Sequence, residues 1–302
     1  MNENRDRIGL APAHSHAFLN QPVVTSLDDP RLEPLRRLQH RQARDESSSF
    51  TIEGLRFLKM ALDKSLPIDL IAYAPADLRH PLTRALIADL MDRGVPSVVT
   101  TSEILIALAN REDPQGVIAV TRQFNQPLVL STPAAGLCWI AVDRVKTHGN
   151  LGTLLRTADC VGAAGLIMIG DDVDPYDPGC VRASMASILD QRLVRCEFDE
   201  LREWSTRHRA LLVGTSPRAK LDYHRAHYDR PVILYMGCER TGIDEDRLLE
   251  CDMTVKIPMV GNSDSLNVGV AGSVLLYEIF NQRRRNLSLE RGGDSRNRRY
   301  KR

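Results

Sequence analysis

No run of eighteen or more apolar residues occurs in this 302-residue chain, so the sequence offers no membrane-spanning helix. Its polar first residues, MNENRDRIG, contain no apolar signal core, which argues against secretion. Cysteine is sparse. Cys138, Cys160, Cys180, Cys196, Cys238 and Cys251 form no CxxC pair and have no histidine at zinc-like spacing. Most sit in apolar runs, where cysteine acts as a small hydrophobe, and a reduced cytoplasmic protein is expected. No GxGxxG follows the first strand of the C-terminal half, and no Walker lysine appears, so neither dinucleotide nor P-loop chemistry is supported.

Hydrophobic residues make up 43% and charged residues 26%, a balance that excludes a wholly disordered or collagen-like chain. The length suggests two domains. The net charge of +1 hides an asymmetry: from Arg283 to Arg302, nine Lys/Arg stand against Glu290 and Asp294, so the rest is net acidic. A basic tail on an acidic body suggests contact with a polyanion. Its composition lacks an apolar stripe, which predicts a disordered arm that touches phosphate without reading bases.

Residues 1–22 show no periodicity and read as a flexible arm, in which His14 and His16 lack a third metal ligand. Leu32, Leu35 and Leu38 share a helical face after Asp28-Asp29-Pro30. Short apolar runs then alternate with helical stretches to Arg122, predicting a small α/β domain over 23–122. Pro127, Pro133 and Gly136 mark 123–136 as a linker. A second alternating unit spans 137–282, with strands at Cys138–Val142, Gly165–Ile169, Leu193–Cys196, Ala210–Gly214, Pro231–Met236 and Met253–Ile257. Helices are expected over Leu151–Val161, Pro178–Leu189, Asp199–Arg207, Asp244–Leu249 and Asn267–Arg283. Such alternation predicts a largely parallel sheet, with ligands at the carboxyl ends of its strands.

Three loops at those ends carry the candidate chemistry. In Asp143–Arg156, DRVKTHGNLGTLLR, Gly149 and Gly152 allow close backbone approach, and Asn150 offers a donor and an acceptor. Arg156 is either a site residue or a solvated helix arginine, and Asn150 either a site residue or a cap. In Gly237-Cys238-Glu239-Arg240-Thr241-Gly242 a carboxylate sits at a strand end. It would repel phosphate, so a phosphate-free or cationic ligand fits better there. Cys238 lacks an evident base, which favours packing over a nucleophilic role. The third loop runs from Ile257 through Ser265 and Leu266 to Asn267, and its plain use would be a helix cap by Ser265.

Together and in this order, NLGTLLRTADCVGAAGL, GCERTG and IPMVGNSDSLNVGVAG resemble the SpoU (TrmH-like) RNA 2′-O-ribose methyltransferases. FTIEGLRFLKMAL and QGVIAV look like that family's small ribosomal-protein-like substrate-binding domain. The resemblance implies an α/β fold whose C-terminal domain is threaded into a trefoil knot, an exception to the rule against knots. It also implies an S-adenosylmethionine pocket, a homodimer with composite sites, and RNA as substrate. By motif position, Asn150, Arg156, Glu239, Ser265 and Asn267 would be the catalytic set. Gly237, Ile257 and Leu266 would hold the cofactor, and Thr215 would touch it too. The second motif more often reads Gly-Asn-Glu-Gly, and the third usually has Ser or Ala where Gly269 stands.

A ribose hydroxyl is a poor nucleophile, so transfer needs deprotonation, alignment and exclusion of water. The family assigns Arg156 as base. Since guanidinium stays protonated in proteins, a phosphate clamp that orients the hydroxyl suits it better. On the resemblance, ribosomal RNA of the large subunit is favoured over tRNA because of the N-terminal domain. A non-catalytic RNA-binding or assembly protein would lack part of the polar set. No metal-ligand cluster is legible, so methyl transfer is expected to proceed undiminished in EDTA; loss of transfer with rescue by zinc would contradict this.

Overall fold

The computed structural model describes residues 21–133 and 136–297, with side chains described up to Asn286. Of the arm read over residues 1–22, residues 1–20 lie outside them, and with them His14 and His16. The chain divides between Gln123 and Phe124 into two compact units.

The first unit contains helices α1 (Glu33–Arg37), α2 (Arg41–Ser47), α3 (Leu55–Asp63), α4 (Pro81–Asp92) and α5 (Ser102–Ala109). Its strands β1 (Ser49–Glu53), β2 (Ile68–Tyr73), β3 (Ser97–Val99) and β4 (Val117–Arg122) form a sheet ordered β1-β4-β2-β3. Only β2 and β3 pair in parallel. Leu32, Leu35 and Leu38 are buried in its core, as their spacing predicts. α2, which the periodicity missed, has one buried side chain, Arg44, whose guanidinium donates to the carbonyls of Leu38 and Gln39.

The second unit contains β5 (Trp139–Asp143), α6 (His148–Val161), β6 (Gly165–Ile169), α7 (Pro178–Ala183), β7 (Arg192–Cys196), α8 (Phe198–Arg207) and β8 (Leu211–Thr215). It continues with β9 (Leu221–Asp222), β10 (Val232–Met236), α9 (Glu245–Leu249), β11 (Met253–Lys256) and α10 (Val268–Asn297). Its seven strands pair wholly in parallel, in the order β7-β6-β5-β10-β8-β11-β9. All residues of β5, β6 and β10 are buried, which explains their unbroken apolar runs. The chain winds outward from β5 to β7 and then returns to lay β8 beyond β10. Strand order therefore reverses between β5 and β10, where parallel sheets open a crevice.

Three segments differ from the sequence expectation. The helix expected over Pro178–Leu189 ends at Ala183, because Met185 and Ala186 adopt positive φ before a short 3-10 turn. The stretch read as a linker is tied into the second unit: Gln126 donates to Leu193 O at 2.9 Å, and Trp139 Nε1 donates to Thr132 O at 2.9 Å. The arm expected from Arg283 continues α10 as helix to Asn297. Its Arg, Leu and Glu content favours helix once an anchored helix precedes it, since propagation is far easier than nucleation.

Gly152 sets the spacing of α6 and α7. A Cβ there would lie 2.5 Å from Cys180 O and 2.6 Å from Ala183 Cβ. Trp139 and Trp204, the chain's two tryptophans, both lie in this core at 6.1 Å, so their fluorescence reports this unit alone. Gly152→Ala is expected to lower the unit's urea stability by about 1–3 kcal/mol, the usual cost of overpacking. A midpoint equal to wild type would contradict the close approach.

Candidate active site

The loops after β5, β8, β10 and β11 converge at the carboxyl ends of the strands. Gly237, directly after β10, is dictated by contact: a Cβ would strike Gly242 O and lie 2.5 Å from Ile243 N. Gly242 closes the turn with φ +72°, a conformation that L side chains rarely adopt. The Cys238–Gly242 bridge then presents Glu239 to the loop after β5.

Glu239 joins the two loops. Its Oε1 accepts from Thr147 N at 2.9 Å and from Asn150 Nδ2 at 3.1 Å, while Oε2 accepts from Lys146 N at 3.1 Å. Burial pushes its pKa up, but the N–H groups of Glu239 itself, Lys146 and Thr147 and the Asn150 amide outweigh that, and the net shift is downward. From Asn150 the connection passes to the third loop, because Asn267 Nδ2 donates to Asn150 Oδ1 at 2.8 Å. Asn267 Oδ1 in turn accepts from Gly269 N at 2.9 Å and Val270 N at 3.2 Å, capping α10. One chain of side chains thus links all three loops.

Asn267, and not Ser265, is the cap. Ser265 is exposed and donates to Asp264 Oδ1 at 3.2 Å, because it lies outside the cap position. Asn150 is likewise no cap: α6 begins earlier, at His148, and Asn150 lies within its first turn. Arg156 stands exposed on α6, and its side chain has no hydrogen bond or ion pair among the described residues.

Beside this chain of bonds lies a cavity of about 910 Å³. Thr215, Gly237, Glu239, Ile257, Ser265 and Leu266 all line it. Asn150 and Asn267 lie outside its wall but are bonded to Glu239 or to each other, and Arg156 belongs to neither group. Thr215 Oγ1 donates to Tyr235 O at 3.1 Å, so its hydroxyl also bridges β8 to β10. Met236, Leu248 and Val268 supply apolar wall, and among the described residues no histidine lines the cavity. Cys238 lines it with its thiol pKa lowered by the N–H groups of Thr241 and Arg240. No group of three or more His, Cys, Asp or Glu able to hold a metal ion occurs among the described residues.

Residues 138–277 match the SpoU rRNA Methylase family, and residues 29–119 match an MRM3-like substrate binding domain. A 23S rRNA (uridine(2479)-2′-O)-methyltransferase of Streptomyces viridochromogenes is 30% identical over 82% of this chain and 87% of its own. The chain belongs to the SpoU rRNA methylase family. A Bacillus subtilis member, a 23S rRNA (guanosine(2553)-2′-O)-methyltransferase, is 25% identical over 85% of this chain and 98% of its own. The crystal structure of an AdoMet-bound rRNA methyltransferase from Sinorhizobium meliloti superposes with TM-score 0.78 and 32% identity, covering 85% of this chain and 97% of that one.

Within the family pattern, Gly269 has a local reason. A Cβ there would stand 3.2 Å from Asn267 Oδ1 and Thr153 Cβ and 3.3 Å from Asn150 O, crowding the capping bonds. Sequence reasoning missed the layer beneath. Asp143, ending β5 with 1% exposure, accepts from Tyr235 Oη at 2.7 Å and Arg144 Nε at 3.1 Å, and from the guanidinium of Arg247. Arg144 also pairs with Asp244 at 2.8 Å. Asp143 opened the first loop in sequence, but apart from the adjacent Arg144 its partners Tyr235 and Arg247 lie about ninety and a hundred residues away, and no short motif holds them with it.

The lowered pKa of Glu239 gives a pH test. Its ionised form adds stability above the ordinary glutamate range, and that contribution disappears as pH falls through the lowered native value. Tryptophan-monitored urea unfolding of wild type and Glu239→Gln should therefore differ most near neutrality and converge in acid. A gap that widens on acidification would refute this assignment.

Proposed function

We propose that this chain transfers a methyl group from S-adenosylmethionine to a ribose 2′-hydroxyl in large-subunit ribosomal RNA. The observation that carries the reading is the Glu239–Asn150–Asn267 chain of hydrogen bonds, which joins the loops of all three motifs beside a cavity lined by the second and third. Family membership and relatives named as 23S rRNA 2′-O-methyltransferases support it. Those two relatives act on a uridine and a guanosine, so the reading does not extend to the base.

The residues present fit the cofactor. The cavity is of ligand size, mixes apolar wall with backbone polar groups at Gly237 and Ile257, and includes carboxylates suited to a cationic group. When bound, S-adenosylmethionine supplies an activated methyl on a sulfonium. Gly237, Ile257 and Leu266 would hold it, with Thr215 at the edge of β8. Glu239 holds Asn150 at the rim, and Asn267 fixes Asn150 from the other side, so the amide meets the acceptor ribose already oriented. Arg156 clamps the phosphate beside that ribose with its two-pronged guanidinium and aligns the 2′-oxygen for in-line attack. Ser265 orders the third loop around the acceptor.

The reading includes a homodimer. Leu266, Val270 and Tyr277 expose apolar surface before and along α10, which a second copy would cover. It includes the trefoil threading of the C-terminal segment and a cytoplasmic location. Among the described residues no helix is long and apolar enough to cross a membrane.

Arg156→Ala should abolish transfer while leaving S-adenosylmethionine affinity, measured by calorimetry, near wild type. Arg156→Lys should also be poor, because lysine lacks the planar fork. Wild-type rates in the lysine variant would refute the clamp. Mapping 2′-O-methyl groups in total RNA from cells with and without the gene identifies the nucleotide, and an unchanged large-subunit map would overturn the substrate assignment.

A further inference from the structure

The segment between β9 and β10 reads Tyr223-His224-Arg225-Ala226-His227-Tyr228-Asp229-Arg230. Ala226 and Tyr228 are buried, and Tyr228 Oη donates to Tyr223 O at 2.9 Å. His224, Arg225, His227, Asp229 and Arg230 are exposed. α10 fixes this arrangement. Gln282 Nε2 donates to Ala226 O at 3.0 Å, its Oε1 accepts from Tyr228 N at 3.3 Å, and Arg283 donates to Arg230 O. The loop backbone is thereby fastened where the basic run Arg283-Arg284-Arg285 begins.

Between loop and helix lies a hollow of about 310 Å³, with Arg225 and His227 contributed by the loop and Arg285 and Asn286 by the helix. Asp229 and Glu278 also line it, but Glu278 Oε1 already accepts from Gln282 Nε2 at 2.8 Å. The loop and the 278–286 stretch of α10 together carry Arg225, Arg230, Arg283, Arg284 and Arg285 against Asp229 and Glu278; of these arginines Arg225 and Arg285 line the hollow, and Arg284 stacks on Phe280. Among the described residues, no exposed large apolar side chain lines the hollow. A protein partner would need such an anchor, whereas a phosphate backbone needs only charge and forked donors.

We propose that this shelf binds the phosphodiester backbone of RNA, as a second contact separate from the methyl-transfer site; the choice of RNA rests on the function proposed above. The loop enters the N-terminal end of β10, while the cofactor loop leaves its C-terminal end. Five strand residues separate the two by roughly 17 Å. The shelf therefore contributes affinity and placement of a long RNA, and not chemistry. The helical continuation of α10 adds Arg291 and Arg296 along the sequence from the same origin.

The test uses the full chain and a fluorescein-labelled 20-nucleotide uridine oligomer, followed by anisotropy across a salt series. The probe variants are Arg225→Glu and the double variant Arg225→Ala/Arg285→Ala, and S-adenosylmethionine calorimetry is run on each. The expected result is several-fold weaker RNA binding and a salt slope shallower by about 0.7 per lost phosphate contact, roughly 1.4 for the double variant, with cofactor affinity unchanged. Unchanged affinity and slope would overturn the shelf, as would a wild-type protein that fails to bind the oligomer. Displacement of the oligomer by millimolar inorganic phosphate at constant ionic strength would assign the hollow to a free anion instead. Loss of cofactor binding in the wild type alone would overturn the methyl-transfer reading and leave the shelf standing.

Discussion

The site depends on one carboxylate. Glu239 accepts three hydrogen bonds from the loop after β5, two from backbone N–H groups and one from Asn150. Loops are the least constrained parts of an α/β domain, yet here two of them must keep a fixed register across the crevice between β5 and β10. A charged acceptor on paired backbone donors provides that register, because such bonds are stronger than neutral ones and costly to leave unmade. The third loop joins through Asn267, which spends one amide atom on Asn150 and the other on the start of α10. The same side chain thereby ties helix initiation to site geometry.

Beneath this surface connection lies a buried one. Asp143, Tyr235, Arg247 and Arg144 link the ends of β5 and β10 to the beginning of α9, directly under the loops that carry Asn150 and Glu239. A buried carboxylate is tolerated only when its lone pairs are occupied, and here a phenol and two guanidiniums occupy them. Burial and the bond to Asp143 hold the Tyr235 hydroxyl protonated, with its pKa raised well above the ordinary phenol value. The upper layer of hydrogen bonds thus stands on a phenol held protonated against a buried carboxylate.

Much of this was legible in the sequence where function is local in the chain. Gly237 and Gly242 marked the turn, the apolar runs marked the buried strands, and the three motifs placed Glu239, Asn150 and Asn267 at strand ends. What escaped was set by tertiary contact. Ser265 looked like a helix cap because a serine before an apolar helix usually is one, but Asn267 sits at the correct position and takes both N–H groups. Pro178–Leu189 reads as one helix because nothing in its composition announces positive φ at Met185 and Ala186. The continuation of α10 past Arg283 was hidden by charge density, which argues for disorder in isolation but not behind an anchored helix. Asp143 was invisible as a hub, since beyond the adjacent Arg144 its partners are contributed by a later strand and a later helix.

We propose that Glu239 and Asn150 act as one unit in shaping the proposed cofactor site. A double-mutant cycle tests it most directly, with S-adenosylmethionine affinity measured by calorimetry for wild type, Glu239→Ala, Asn150→Ala and the double variant. A unit gives non-additive losses, with a coupling of about 0.5–3 kcal/mol between the two positions. Losses that add to within roughly 0.3–0.5 kcal/mol would contradict it, leaving two independent side chains that happen to lie 3.1 Å apart.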